Sequence, residues 1–221
     1  MSTFVFFHVG PDLEWPTRMV ASLLSHNLGA EVIQVTDGDT PTVPGVTWTY
    51  TTDGDPRFLM LWRVDAYARL GLDAPALYLD TDMVVKSPIN PSALVRDVDA
   101  AFCRRSFNRD ATFNVRQRGL HFPEYGGRTL DDLYPFVGCA TVTQDATVWA
   151  DLAEMAHALP EKFWRWYGDQ EVLREYARTR HVGHLPEHHY ACLPEHLGEY
   201  THPAIIHYKG QRKALIANAP A

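Results

Sequence analysis

Short apolar runs punctuate the whole chain. They fall at Phe4–Val9 (FVFFHV), Ala30–Val35 (AEVIQV), Val46–Tyr50, Ala74–Asp80 (APALYLD), Val98–Cys103, Phe136–Val142 and Ala204–Tyr208. Runs of this length, bounded by Asp, Gly, Thr and Pro, predict buried strands. Between them, Trp15–His26, Arg57–Leu70, Asp145–Leu159 and Asp169–Arg178 carry apolar residues at helical spacing. Asp12 stands upstream of the first helix as a cap, and Leu59, Trp62, Val64, Tyr67 and Leu70 are the predicted core contacts of the second. Strands alternating with helices predict an α/β sheet covered by helices on both faces. Ligands of such sheets collect at the carboxyl ends of strands.

One such end breaks the pattern. In ALYLDTDMVV, Ala76 to Val85, two aspartates interrupt an apolar run that then resumes. A buried carboxylate without a partner is costly, and two neighbouring ones repel each other. A divalent cation removes both problems, and carboxylate oxygens suit Mg²⁺ or Mn²⁺. The plain alternative is that Asp80 and Asp82 are loop acids after a strand.

Bulk composition limits the possibilities. The chain has 221 residues, 46% of them hydrophobic and 21% charged, enough for one domain with a sizeable core, taken here as residues 1–221. Its first residues lack the charged start of a signal peptide, and no stretch is long and apolar enough to span a membrane. Three widely spaced cysteines, Cys103, Cys139 and Cys192, argue against a disulfide framework; together these features imply a cytoplasmic protein. A net charge of -7 gives no global footprint for a polyanion.

Three further stretches bear on the aspartates. HYKGQRK, from His207 to Lys213, follows a strand with H-x-x-G-x-x-K spacing. A histidine can complete a metal site, a glycine lets backbone approach a phosphate, and a lysine pairs with phosphate charge. YGDQEVL places Asp169 and Gln170 at a helix start, and Arg63 lies on the helix before the D-x-D strand. With PDLEW after the first strand, YLDTD, and LPEHHY from Leu185, these motifs follow in the order of the GT-A glycosyltransferases. The chain most closely resembles the retaining family 8 type.

That resemblance implies a single GT-A, Rossmann-like α/β domain with a central mixed, mostly parallel sheet flanked by helices. It implies Mn²⁺ or Mg²⁺ held by Asp80, Asp82 and His207, bridging the phosphates of a nucleotide sugar, most often a UDP-sugar. Lys213 and the backbone near Gly210 would neutralise the diphosphate, with Asp80 and Arg63 contacting the donor. Val9, Gly10, Asp12 and Glu14 would lie near base and ribose, and Asp169 and Gln170 would face the reacting carbon. The chain departs from the family in FVGC, which lacks an Asn, in the missing Asn after LPEHHY, and in the missing Pro-Trp after Lys213. Those positions concern sugar and acceptor contacts.

Between the D-x-D strand and FVGC lies an Arg/aromatic-rich insert, 104–128. It holds Arg104, Arg105, Arg109, Arg116, Arg118 and Arg128 against Asp110 and Glu124, with Phe107, Phe113, Phe122 and Tyr125 interleaved. Such a segment on the acceptor side suits an anionic acceptor, a modified DNA base or an acidic or phosphorylated glycan. The plain reading is a solvated loop whose arginines pair with nearby acids. His181, His184, His188, His189, Cys192 and His196 are dense enough to raise zinc, but their spacings fit no standard site. Trp164 and Trp166 read as core. Two rival functions are a haloacid-dehalogenase-type Mg²⁺ phosphatase, which also uses Asp-x-Asp after a strand, and a non-catalytic nucleotide-sugar binder.

Overall fold

The computed structural model describes residues 1–218. Its first half holds β1 (Thr3–Phe7), α1 (Glu14–His26), β2 (Glu31–Thr36), β3 (Trp48–Thr51), α2 (Leu59–Leu70), β4 (Ala76–Leu79), β5 (Met83–Val85), α3 (Pro91–Leu94) and β6 (Ala100–Arg104). A two-stranded hairpin follows, β7 (Arg116–Gln117) and β8 (Leu120–His121), then α4 (Leu130–Leu133), β9 (Phe136–Thr143), α5 (Ala146–His157), α6 (Glu161–Arg165) and α7 (Gly168–Thr179). The chain finishes with β10 (Val182–Pro186), α8 (Glu187–Tyr190), β11 (Ile205–His207) and a 3-10 segment, Gly210–Asn218.

Seven strands form the main sheet in the order β10-β6-β9-β4-β1-β2-β3. β9 runs antiparallel to β4 and β6, and the other pairings are parallel. This is the mixed, mostly parallel sheet that the GT-A resemblance implies. Alternation within the apolar runs explains its two covered faces. Phe4 and Phe6 of β1 and Leu77 and Leu79 of β4 enter one cluster with Met19, Val20 and Leu23 of α1. Val5, Ala76 and Tyr78 enter the other, with Trp62, Tyr67, Trp149 and Leu152 of α2 and α5. Each large apolar side chain buried this way contributes about 1.5–3 kcal/mol. Tyr67, Tyr78 and Trp149 meet with ring centroids 4.7–4.8 Å apart and press α2 and α5 onto the sheet.

The main helices lie within two residues of their predicted bounds. The predicted start at Arg57 is a 3-10 turn, Pro56–Phe58, capped by Asp55, and α2 proper begins at Leu59. Asp12 is not the N-cap of α1, which is Leu13 without a side-chain cap; the Asp12 carboxylate instead accepts from the Glu14 amide at 3.1 Å. Asp145 caps α5, accepting from the Thr147 amide at 2.8 Å. Asp145→Ala is expected to cost about 1 kcal/mol, read from the midpoint shift of a urea titration. β10 was not anticipated because VGHLP mixes Gly, His and Pro, a composition that edge strands tolerate.

The segment between β6 and β9 has its own small core. Phe113 and Phe122 are buried with Leu133, Tyr134 and Phe163, and Tyr125 and Tyr167 pack against them. Tyr134 stacks on Tyr167 at 4.8 Å. These aromatics hold the segment onto α6 and α7, so the buried ones present no open face to a ligand. Trp164 and Trp166 are only half-buried, contrary to the core assignment. Trp164 donates to the Ala156 carbonyl at 2.9 Å, and Trp166 lies under the Arg118 guanidinium at 3.8 Å. Among the described residues no helix is long and apolar enough to cross a membrane.

Candidate active site

β4 ends at Leu79, and the Asp80 amide donates to the Cys139 carbonyl of neighbouring β9 at 2.9 Å. The chain turns through Asp80-Thr81-Asp82 and enters β5 at Met83. β5 pairs antiparallel with β11, with Met83 opposite His207. The Tyr208 amide donates to the Asp82 carbonyl at 2.8 Å, which locks the two segments together. Register therefore sets His207 beside the aspartates. Its Nε2 is 3.2 Å from Asp82 Oδ1, and the ligand atoms of Asp80, Asp82 and His207 all lie within 4.8 Å of one another.

Two carboxylates and an imidazole this close are a donor set suited to Mn²⁺ or Mg²⁺. The electrostatics agree. Burial raises the Asp80 carboxyl pKa against the pull of Arg63, and the Asp82 charge raises it further. Burial would raise Asp82 too, but His207 and Lys213 hold it well below the usual carboxylate range. Burial opposes a charge on His207; the Cys139 sulfur and the Asp82 carboxylate outweigh it and raise its pKa to about 10. Lys213 reaches Asp82 Oδ2 at 3.1 Å and lies 4.5 Å from the Trp15 ring centre. Gly210 sits at φ 67, a left-handed conformation that glycine adopts without strain, where the chain turns from β11 towards Lys213.

Arg63 of α2 forks between two acids. One terminal nitrogen meets Asp80 at 2.7 Å and the other meets Asp169 at 2.6 Å. Asp169 and Gln170 open α7 after Tyr167, a non-glycine residue at φ 67. Such a backbone persists only where its surroundings enforce it, here through the stack on Tyr134 and a 2.6 Å hydrogen bond to Gln117. Gly138 of β9 faces this bridge, and a Cβ there would stand 2.1 Å from Asp169 Oδ2. The lack of Asn in FVGC drew attention at the sequence level; the glycine beside it is the position that governs space.

At the carboxyl ends of β1, β2 and β3 is an open cleft of about 430 Å³ lined by Val9, Gly10, Asp37, Thr52, Asp53, Gly54, Pro56 and Trp62. Val9 and Gly10 line this cleft at the end of β1. Asp12 and Glu14 are exposed and lie outside the lining, and Glu14 approaches Arg18 within 4.0 Å on the surface of α1. Asp37, Thr52 and Asp53 line it too, in TDGD and TTDGD at the carboxyl ends of β2 and β3. The histidine-rich stretch forms no metal-binding group among the described residues, where the only such group is Asp80, Asp82 and His207.

No protein-family model matches the chain, and no curated protein matches it. Solved structures do. The chain is similar to WbbM, a bifunctional glycosyltransferase solved without ligand, with a TM-score of 0.61, 15% identity, and coverage of 95% of this chain but 46% of that one. It is also similar to the galactosyltransferase LgtC, solved with donor and acceptor sugar analogues, with a TM-score of 0.65, 14% identity, and coverage of 98% and 95%. The chain thus spans less than half of WbbM and nearly all of LgtC. At these identities the likeness shows the fold, which is the GT-A arrangement.

Proposed function

We propose that this chain is a divalent-cation-dependent glycosyltransferase that moves a sugar from a nucleotide-sugar donor, carried by uridine diphosphate, to an acceptor on the side of the 104–128 segment. The observation that carries the reading is the meeting of Asp80, Asp82 and His207 at the end of β4, with Lys213 on one aspartate and Arg63 on the other. The family 8 motifs and the GT-A fold support it, as do the donor and acceptor sugar analogues bound by LgtC. Mn²⁺ or Mg²⁺ held by Asp80, Asp82 and His207 would neutralise charge on the leaving diphosphate.

The chain's own groups then divide the work. Val9 and Gly10 border the cleft that takes the nucleoside. Lys213 turns from Asp82 to a phosphate oxygen and stabilises the charge that develops as the sugar–phosphate bond breaks. Arg63 keeps Asp80 and Asp169 in place, and its cation spares both carboxylates the cost of lying close together. Asp169 and Gln170, on a helix start, stand next to the reacting carbon, where a carboxylate or amide oxygen favours an oxocarbenium-like sugar. The phosphatase alternative needs a free nucleophilic Asp80, whereas this carboxylate is engaged by Arg63 at 2.7 Å.

The test is slow release of nucleoside diphosphate from a panel of nucleotide sugars with Mn²⁺ and without acceptor, alongside calorimetric binding of UDP with Mn²⁺. Release from a UDP-sugar supports transfer. UDP binding without turnover, with or without candidate acceptors, would favour the non-catalytic binder. Absence of both release and UDP binding would sink the reading.

A pH dependence follows from His207. Its pKa, raised to about 10, keeps it protonated in the metal-free protein near neutral pH. A metal ligand must be neutral imidazole, so binding expels a proton. Mn²⁺ affinity is therefore expected to rise with pH, by about tenfold per unit between pH 6 and 8. Calorimetric titrations at three pH values check this, and a flat profile would contradict it.

A further inference from the structure

Arg105 is buried, only 9% exposed, yet among the described residues it has no ion-pair partner. Its Nε donates to the Tyr134 carbonyl at 2.8 Å, and one terminal nitrogen donates to Gln170 Oε1 at 3.3 Å. Both acceptors are neutral. The nearby carboxylate, Asp131, is taken by Arg104 at 3.2 Å and by Arg109 at 2.6 Å. Asp131 is itself held in the first turn of α4, whose N-cap Thr129 forms a reciprocal capping box with Asp132. Two arginines thus pair directly with this aspartate, while Arg105, the most buried of the three, feels its charge without an ion pair to it.

A buried guanidinium without a direct ion pair is costly, and its planar fork matches a carboxylate or phosphate. Its position tells which substrate would supply the anion. Along the carboxyl rim of the sheet, the nucleoside cleft lies beyond β1, β2 and β3, and the aspartates lie beyond β4. Arg105 follows β6, on the opposite flank, in contact with Gln170. Nucleoside, diphosphate and transferred sugar would run in that direction, so Arg105 stands past them.

Resting on the transfer reaction proposed above, we propose that Arg105 is the specificity-determining residue of the acceptor subsite and that it binds a carboxylate or phosphate on an acidic or phosphorylated sugar acceptor. A nucleic-acid acceptor is disfavoured by the fate of the aromatics. Phe107, Phe113 and Phe122 are buried in the protein's own packing, and recognition of unstacked bases uses exposed rings.

The test titrates methyl glucoside, methyl glucuronide and glucose 6-phosphate into the protein with saturating UDP and Mn²⁺, by calorimetry. The two charged sugars are expected to bind at least about tenfold more tightly than the neutral one. Arg105→Gln removes the difference and Arg105→Lys retains part of it, while UDP affinity stays within threefold in both. The melting temperature of ligand-free Arg105→Gln does not fall, because an uncompensated buried charge has gone; a purely structural arginine would lower it. Equal binding of charged and neutral sugars, no binding of either, or a difference that survives Arg105→Gln overturns the proposal. So does Arg105-dependent preference for UDP-glucuronate over UDP-glucose, which would move the anion to the donor, or Arg105-dependent binding of an oligothymidylate. Repeating the sugar titrations without UDP keeps the anion preference readable even if UDP fails to bind, a result that would instead remove the transfer reaction.

Discussion

Asp82→Asn is expected to lower metal-dependent release of nucleoside diphosphate by at least about 10³-fold while the fold persists. The change turns one of the three ligand groups from a carboxylate into a neutral amide and removes the charge on which two cations lean. His207 Nε2 is 3.2 Å from this carboxylate and Lys213 Nζ is 3.1 Å from it. With a neutral amide in its place, the cation loses its most acidic ligand, because Asp82 is the carboxylate held ionised by its neighbours. Calorimetry separates binding from chemistry: UDP should still enter the cleft weakly, without the gain that Mn²⁺ confers. His207→Ala should behave alike, since Met83 opposite His207 keeps the β5–β11 register without the imidazole. A variant that keeps Mn²⁺-dependent release within tenfold of wild type would show that the three residues do not form the working site.

The second large effect is steric. Gly138→Ala would put a methyl group 2.1 Å from Asp169 Oδ2 and 2.9 Å from its Cγ. Asp169 cannot yield without cost, because that oxygen takes the Arg63 guanidinium at 2.6 Å. Turnover is expected to fall by about 10²-fold, the penalty of displacing a positioned group by about an ångström. Stability should fall by about 1–3 kcal/mol from overpacking. UDP–Mn²⁺ affinity should stay within about threefold, because Asp80, Asp82 and His207 are untouched. The double variant Gly138→Ala/Asp169→Ala discriminates further. It should recover stability by making room for the methyl group, yet remain inactive. If the double variant is as unstable as Gly138→Ala alone, the clash with Asp169 is not the cause.

The arginine segment shows how composition can mislead about orientation. Its interleaved aromatics suggested rings offered to a ligand, and the structure buries Phe113 and Phe122 in a local core. The plain reading of arginines paired with nearby acids fits Arg104 and Arg109, both on Asp131, while Arg128 donates to the Asp132 carbonyl at 3.3 Å. Only the three-dimensional arrangement singles out Arg105 as the buried arginine of the segment that has no ion pair among the described residues.

What the sequence determined by itself is local and periodic. Apolar runs such as FVFF and ALYL, too short for a helix and bounded by turn residues, read as strands covered on both sides. That argument yields β1, β4 and β9, the helices between them, and the position of Asp80 and Asp82 just past a strand end. The ordered motifs added His207, Lys213, Arg63 and Asp169 as candidates. Tertiary structure decided which of these meet. The contact between Asp82 and His207 depends on pairing β5 with β11 in one register, and a shift of one residue would turn the imidazole to the other face. The Arg63 fork depends on the pitch of α2 against the sheet, fixed by Trp62, Tyr67, Tyr78 and Trp149. The space for Asp169 depends on the missing Cβ of Gly138 on a strand two elements away from α7. Such contacts join segments far apart in the chain, and no periodicity records them, because they are set by the packing of whole elements and not by the preferences of neighbouring residues.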